Sequence, residues 1–306
     1  MRDFLSVTDL SRDELRRVLD RALQLKLETK QGRWRTELVG KTVALLFQKP
    51  SLRTRVSFEQ AIRHLGGHAL YLSPSEVGLG ERESVPDVAR VLSRYVDGIV
   101  LRANHHSDVE MLARYASVPV INALSDLTHP CQALADLLTV REKKMRLSGL
   151  VMAYVGDGNN VAHSLILGAA KTGIHLRIAC PSGFEPQAAI VDTAALDREA
   201  TGATLSVMRS PADAAAGADI LYTDVWTSMG QETESEGRRR AFIGYRIDAQ
   251  LLALAKPEAI VMHDLPAHRG EEITDEVIDG PQSVVFDQAE NRLHAQKGLL
   301  SVIFDG

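Results

Sequence analysis

Cysteine is almost missing from this chain: its 306 residues include two, Cys131 and Cys180, and no C-x-x-C pair. That excludes a disulfide framework and points to a reducing compartment, read here as the cytoplasm. Long apolar runs are missing too. None reaches the roughly 18 residues of a membrane-spanning helix, so no membrane partner is expected. The opening Met1-Arg-Asp-Phe-Leu-Ser-Val-Thr-Asp-Leu10 is charged and lacks the apolar centre of a signal peptide. A large excess of either charge is also absent. The net charge of −5 is too mild for a nucleic-acid surface, so nucleic acid is not an expected partner. An acidic protein of this kind can bind an anion only by concentrating arginine locally.

What is present is the composition of a globular protein, 45% hydrophobic and 25% charged, and long enough for two domains. Apolar residues at Leu15, Val18, Leu19, Ala22, Leu23 and Leu25 predict an amphipathic helix from Leu10 to Leu27, with Ser11 and Glu14 as its capping box. Strands are predicted at Thr42–Phe47, Ala69–Leu72, Gly98–Leu101 and Val118–Asn122. Helices fall between them, from Pro50–Ser51 to about Leu65 and from about Val85 to Tyr95. After a helix from His129 to Lys144 the alternation resumes, with strands at Leu150–Val155, His175–Ala179, Ile220–Thr223 and Ala259–Met262. A last helix is predicted from Ala289 to Phe304. Strand–helix alternation predicts an α/β fold of two doubly wound domains, each a mainly parallel sheet flanked by helices, with a cleft between them. The expected division is 1–138, completed by the carboxyl-terminal helix 290–306, and 139–289. The charge-dense Glu232–Arg240 reads as a solvated loop or helix face.

Ligands of such sheets sit beyond the carboxyl ends of the strands, and the polar motifs fall there. Ser51-Leu-Arg-Thr-Arg55 stands where a strand turns into a helix. Free backbone N–H groups, the hydroxyls of Ser51 and Thr54, and the guanidiniums of Arg53 and Arg55 all suit a phosphate. Arg102, His129 and Gln132 add donors, and Pro130 fixes the turn that aims two of them. In the second half, Gly156-Asp-Gly-Asn-Asn160 lacks the third glycine of a dinucleotide loop, and no ribose-binding acid follows, so no cofactor is expected. The histidines are too scattered for a ligand set, so no metal is expected either.

Three stretches, Lys49-Pro-Ser-Leu-Arg-Thr-Arg55, His129-Pro-Cys-Gln-Ala-Leu-Ala-Asp136 and Asn291-Arg-Leu-His-Ala-Gln-Lys297, closely resemble the aspartate/ornithine carbamoyltransferases. The resemblance covers almost the whole chain in the family's order. It implies a carbamoyl phosphate-binding first domain and an amine-binding second domain. By the same resemblance Ser51, Arg53, Thr54 and Arg55 hold the phosphate, Arg102, His129 and Gln132 hold the carbamoyl group, and Arg292 closes the site. It further implies homotrimers, or multiples of them, with sites at subunit boundaries. Asp224-Val-Trp-Thr-Ser-Met-Gly230 resembles the loop that marks ornithine as the acceptor. Asn160, Asp224, Ser228 and Met229 would then bind the amino-acid head group. The implied reaction gives citrulline and phosphate, a step of arginine metabolism.

The chain departs from the family pattern twice. His263-Asp-Leu-Pro266 carries Asp264 where the family has a cysteine beside the reacting amine, with Leu265 next to it. An alkyl amine with a pKa near 10.4 costs roughly 4–5 kcal/mol to hold neutral at pH 7. An ionised Asp264 raises that cost by attracting the ammonium, or serves as the base that takes its proton. The other departure is Glu76, at a position where relatives reach toward carbamoyl phosphate. A carboxylate there must point away, pair with an arginine or be protonated. Two alternatives stay open: a transferase for another amine, such as putrescine or an N-acylornithine, and a regulatory relative that binds carbamoyl phosphate without turnover.

Overall fold

The computed structural model describes residues 3–227 and 235–305. The chain divides into two compact units, Met1–Leu138 with Glu290–Gly306, and Thr139–Ala289.

Unit 1 opens with α1 (Arg12–Lys30), started by the predicted capping box: Ser11 accepts from the Glu14 N–H while Glu14 accepts from the Ser11 N–H. The strands are β1 (Thr42–Phe47), β2 (His68–Leu72), β3 (Gly98–Arg102) and β4 (Val120–Leu124). They pair in parallel in the order β2-β1-β3-β4. Between them run α2 (Leu52–His64), α3 (Pro74–Val77), α4 (Val85–Leu92) and α5 (His106–Tyr115). β3 is buried along its whole length, the unbroken apolar pattern of a strand covered on both faces. Ala44, Leu46, Ile99, Leu101, Val109 and Leu112 belong to the core between this sheet and its helices.

Unit 2 repeats the plan with five strands: β5 (Val151–Val155), β6 (His175–Ala179), β7 (Leu205–Met208), β8 (Ile220–Thr223) and β9 (Ile260–His263). All pair in parallel, in the order β7-β6-β5-β8-β9. β7 has no counterpart in the sequence reading. It is a four-residue strand with two exposed side chains, too short and too polar to show a pattern. The unit boundaries fall inside α6 (Pro130–Lys144) and α14 (Val285–Phe304). Helices α7 (Asn160–Thr172), α8 (Ala188–Thr193), α9 (Ala195–Thr201), α10 (Pro211–Ala215), α11 (Ser235–Ala241), α12 (Ala249–Leu252) and α13 (Asp275–Ile278) complete the unit. Among the described residues no helix is long and apolar enough to cross a membrane.

In each sheet the chain reverses its direction of travel at one place, between β1 and β3 in unit 1 and between β5 and β8 in unit 2. Such switch points open a crevice at the carboxyl ends of the strands.

Candidate functional site

At the unit 1 switch point, Ser51 caps α2 in extended conformation, its Oγ accepting from the Thr54 N–H at 3.4 Å. This turns Thr54 inward, where it is buried. Beside it, Gln48 fixes the end of β3. Its N–H donates to the Arg102 carbonyl at 2.8 Å, its Oε1 accepts from the Asn104 N–H at 2.6 Å, and its Nε2 donates to Asp108 at 3.1 Å. After β4 a tight turn is closed by Asn122, whose Nδ2 donates to Leu5 O at 2.9 Å and Thr128 Oγ1 at 3.1 Å. That turn delivers His129 to the start of α6, where its carbonyl accepts from the Gln132 N–H at 3.1 Å.

Arg292, on α14, ties these pieces together. Its Nη1 donates to Gln132 Oε1 at 2.6 Å and its Nη2 to Thr54 Oγ1 at 3.0 Å. Gln132 Nε2 in turn donates to Asp136 at 2.8 Å. His129 is buried, and its pKa lies well below the usual histidine range because burial, then the charges of Arg292 and Arg102, oppose its protonation. The imidazole is therefore neutral and can donate one hydrogen bond without adding charge. The structure thus gathers Thr54, Arg102, His129, Gln132 and Arg292, with Ser51 at the cap and Arg53 half-buried beside it.

Two predicted residues of this group are engaged elsewhere. Arg55 is exposed; its Nε donates to Glu59 at 2.8 Å, one helical turn on, and its guanidinium lies 3.7 Å from the centre of the Tyr71 ring. It stands one residue past buried Thr54, about 100° around α2, and so faces outward. Glu76 is also turned back on its own chain. Its Oε2 accepts from the Ser73 N–H at 2.7 Å and from Ser73 Oγ, which hold it below the usual carboxylate range. The Glu76 carboxylate thereby closes the start of α3.

Unit 2 builds its switch point from carboxyl and amide groups. Gly156 leaves β5 at φ 154°, and Gly158 has no room for a Cβ, which would stand 2.3 Å from Pro186 N. Gly158 is needed for this close approach of two chain segments. Asn159 caps α7 with its Oδ1 on the Val161 N–H at 2.9 Å, and its Nδ2 donates to Asp224 Oδ2 at 2.7 Å. Asn160 follows as the first, half-buried residue of α7. Asp224, just past β8, is buried and raised well above its usual pKa, first by burial, then by the charge of Asp264 and a hydrogen bond to it.

His263, fully buried at the end of β9, sits behind the pair, with Nε2 3.0 Å from Glu272 Oε1 and Nδ1 3.5 Å from Asp264 Oδ1. Burial works against its protonation, but the hydrogen bonds to Asp264 and Glu272 outweigh it and raise the ring to about 9. The Leu265 N–H approaches Nδ1 to 2.9 Å. Leu265 itself stands at φ 57° before a cis Pro266.

Asp224, His263 and Asp264 each offer a ligand atom within 4.8 Å of the others, as do His268, Glu271 and Glu272. Each group holds one histidine, and the first forms because β8 and β9 are neighbours. Ser228 and Met229 lie outside the described residues. Sequence reasoning missed Asn159, Asp136, Glu272 and Arg238. Arg238 lies in the stretch read as a solvated face, yet it is buried and paired with Asp157.

Residues 2–142 match the family model described as "Aspartate/ornithine carbamoyltransferase, carbamoyl-P binding domain", and residues 148–303 match "Aspartate/ornithine carbamoyltransferase, Asp/Orn binding domain". The chain is 56% identical over 306 residues to an ornithine carbamoyltransferase of Acidothermus cellulolyticus, covering 100% of this chain and 97% of that one. It is 52% identical over 305 residues to one of Thermococcus kodakarensis, at the same two coverages. Among solved structures, the ornithine carbamoyltransferase from Pyrococcus furiosus superposes with a TM-score of 0.97 at 51% identity, covering 100% of this chain and 97% of that one. Both units and the full length are accounted for, and this chain belongs to the aspartate/ornithine carbamoyltransferase family.

Proposed function

We propose that this protein transfers the carbamoyl group of carbamoyl phosphate to the δ-amine of L-ornithine, giving L-citrulline and phosphate. One observation carries the reading most of the way: Arg102 and Arg292 both act on a buried, neutral His129 beside Thr54 and Gln132. Two guanidiniums with neutral donors between them suit a doubly charged phosphate attached to a polar carbonyl.

Carbamoyl phosphate binds first. Ser51, Arg53 and the α2 N-terminus take the phosphate, and Gln132 takes the carbamoyl nitrogen. Ornithine follows, its head group held by Asn160, Asp224, Ser228 and Met229. The δ-amine attacks the carbonyl carbon. Thr54, Arg102 and neutral His129 stabilise the oxyanion that forms, and Arg292 holds Thr54 and Gln132 in place for it. The C–O bond to phosphate then breaks, the leaving phosphate takes up the proton that the attacking nitrogen still has to lose, and it departs into the arginine cradle. Asp264 takes the proton that the ammonium must lose before attack. The group supplied by this chain is positioning and charge, with no covalent intermediate. The resemblance to the family further supports a homotrimer, or a multiple of it, in the cytoplasm.

The test is citrulline and phosphate measured together, with the intact protein, carbamoyl phosphate and L-ornithine. Equimolar appearance of both is expected, with putrescine and N-acetylornithine turned over far more slowly. Phosphate release without citrulline, or preference for another amine, would overturn the reading.

A further inference from the structure

The stretch 232–240 is charge-dense, but one of its arginines is not on the surface. Arg238, on α11, is buried and makes three kinds of contact. Its Nη2 pairs with Asp157, also buried, in the turn after β5. Its Nε donates to the Trp226 carbonyl at 2.6 Å, two residues past Asp224. Its guanidinium carbon lies 4.9 Å from the centre of the Phe184 ring and 5.9 Å from that of Phe242. The two rings pack edge to face at 4.8 Å, and Trp226 stacks on Phe242 at 5.8 Å. The Phe184 carbonyl accepts from the Gly158 N–H at 2.8 Å.

These contacts close a loop of constraints. Asp157 and Gly158 precede Asn159, and Asn159 holds Asp224 at 2.7 Å. Trp226 follows Asp224. Arg238 therefore grips the chain on both sides of the Asn159–Asp224 hydrogen bond, through Asp157 on one side and Trp226 on the other. A planar guanidinium can do this, since its donors diverge in one plane while its faces lie against the rings. An ammonium cannot reproduce the fork. We infer that Arg238 is a positioning residue for the amino-acid half of the site, holding Asp224 and Asn160 in the geometry that receives an α-amino acid head group.

This rests on the ornithine reading of unit 2, and the experiment keeps the two apart. Steady-state rates of citrulline formation would be measured for wild type, Arg238→Lys, and the paired variant Arg238→Met with Asp157→Asn. The paired variant leaves no lone buried charge, so a loss of folding does not decide the outcome. L-norvaline, which has the head group but no δ-amine, would be tested as an inhibitor in the presence of carbamoyl phosphate. The paired variant is expected to raise the ornithine KM and the norvaline inhibition constant together, by about tenfold or more. The carbamoyl phosphate KM should stay within about twofold, the mark of lost uniform binding of one substrate. Arg238→Lys should recover only part of the loss. Equal rises in both KM values, or norvaline binding as in wild type, would overturn the role of Arg238. Wild-type protein that makes no citrulline would instead overturn the ornithine reading itself.

Discussion

In unit 1 the groups at the switch point are Thr54, Arg102, His129, Gln132 and Arg292; in unit 2 they are Asp157, Asn159, Asp224 and Asp264, with His263 and Glu272 behind them. Both sets grow from the same architecture, loops leaving the carboxyl ends of parallel strands where the strand order reverses. Their chemistry is opposite. Unit 1 surrounds a histidine with arginines, and the histidine gives up its proton. Unit 2 surrounds an aspartate with carboxyls, and the pKa of that aspartate is driven up. One cause acts in both places: burial disfavours charge, and like-charged neighbours add to the penalty. The architecture thus fixes where a ligand goes, and the residues at the strand ends fix the sign of what it carries.

The largest expected effect comes from breaking the cationic half. Arg102→Ala removes a donor to the forming oxyanion and should lower kcat/KM by about 10²–10³-fold or more, read from initial rates of citrulline formation. A loss under about tenfold would mean that the unit 1 cluster does not face the reacting carbonyl.

Next in size is the carboxyl pair. If Asp264 holds the proton on Asp224, Asp264→Cys frees Asp224 to ionise at lower pH. The ornithine KM of wild type should fall as pH rises, because the ionised Asp224 attracts the ammonium of the substrate. In Asp264→Cys the same fall should appear at a pH lower by about one unit or more, the scale of a close like-charge interaction. Superimposable pH profiles would show that the two carboxyls do not interact.

Acid stability separates the halves further. His129 lies well below its unfolded value near 6.5, and His294, buried on α14, is lowered to about 4, chiefly by burial. Below pH 6.5 the unfolded chain takes up protons that these folded histidines refuse. Stability should therefore fall as pH drops from 6.5 toward 4, by at most about 1.4 kcal/mol per pH unit for each histidine. Denaturant midpoints followed across this range check it, and the slope should lessen in His294→Asn. The smallest effect belongs to Glu76→Gln. With the carboxylate closed on Ser73, citrulline formation should change by less than about twofold, the result expected when no transition-state contact is lost.

Much of this was legible in the sequence, for physical reasons that differ by element. β1 and β8 are found at the predicted residues, because a buried parallel strand is a short, largely apolar run, and β6 is found there with Leu176 and Ile178 alternating against His175 and Arg177. The Ser11–Glu14 box marks a helix start by local hydrogen bonds alone. The gathering of Thr54, Gln132 and Arg292 was legible only through motif resemblance, since these residues are far apart in the chain. Arg55 and Glu76 pair with side chains one turn away, Glu59 and Ser73, which their place in a motif does not announce. Arg238 shows the limit of reading a charge run. A run of charges looks solvated until the fold supplies a buried aspartate and two aromatic rings for one of its members.

The central claim is that opposite charge divides the substrates between the two sets of residues. Carbamoyl phosphate binding measured alone, without ornithine, tests it most directly in wild type, Arg292→Met and Asp224→Asn. Binding should be lost in Arg292→Met and unchanged in Asp224→Asn. Equal weakening in both variants would contradict the claim.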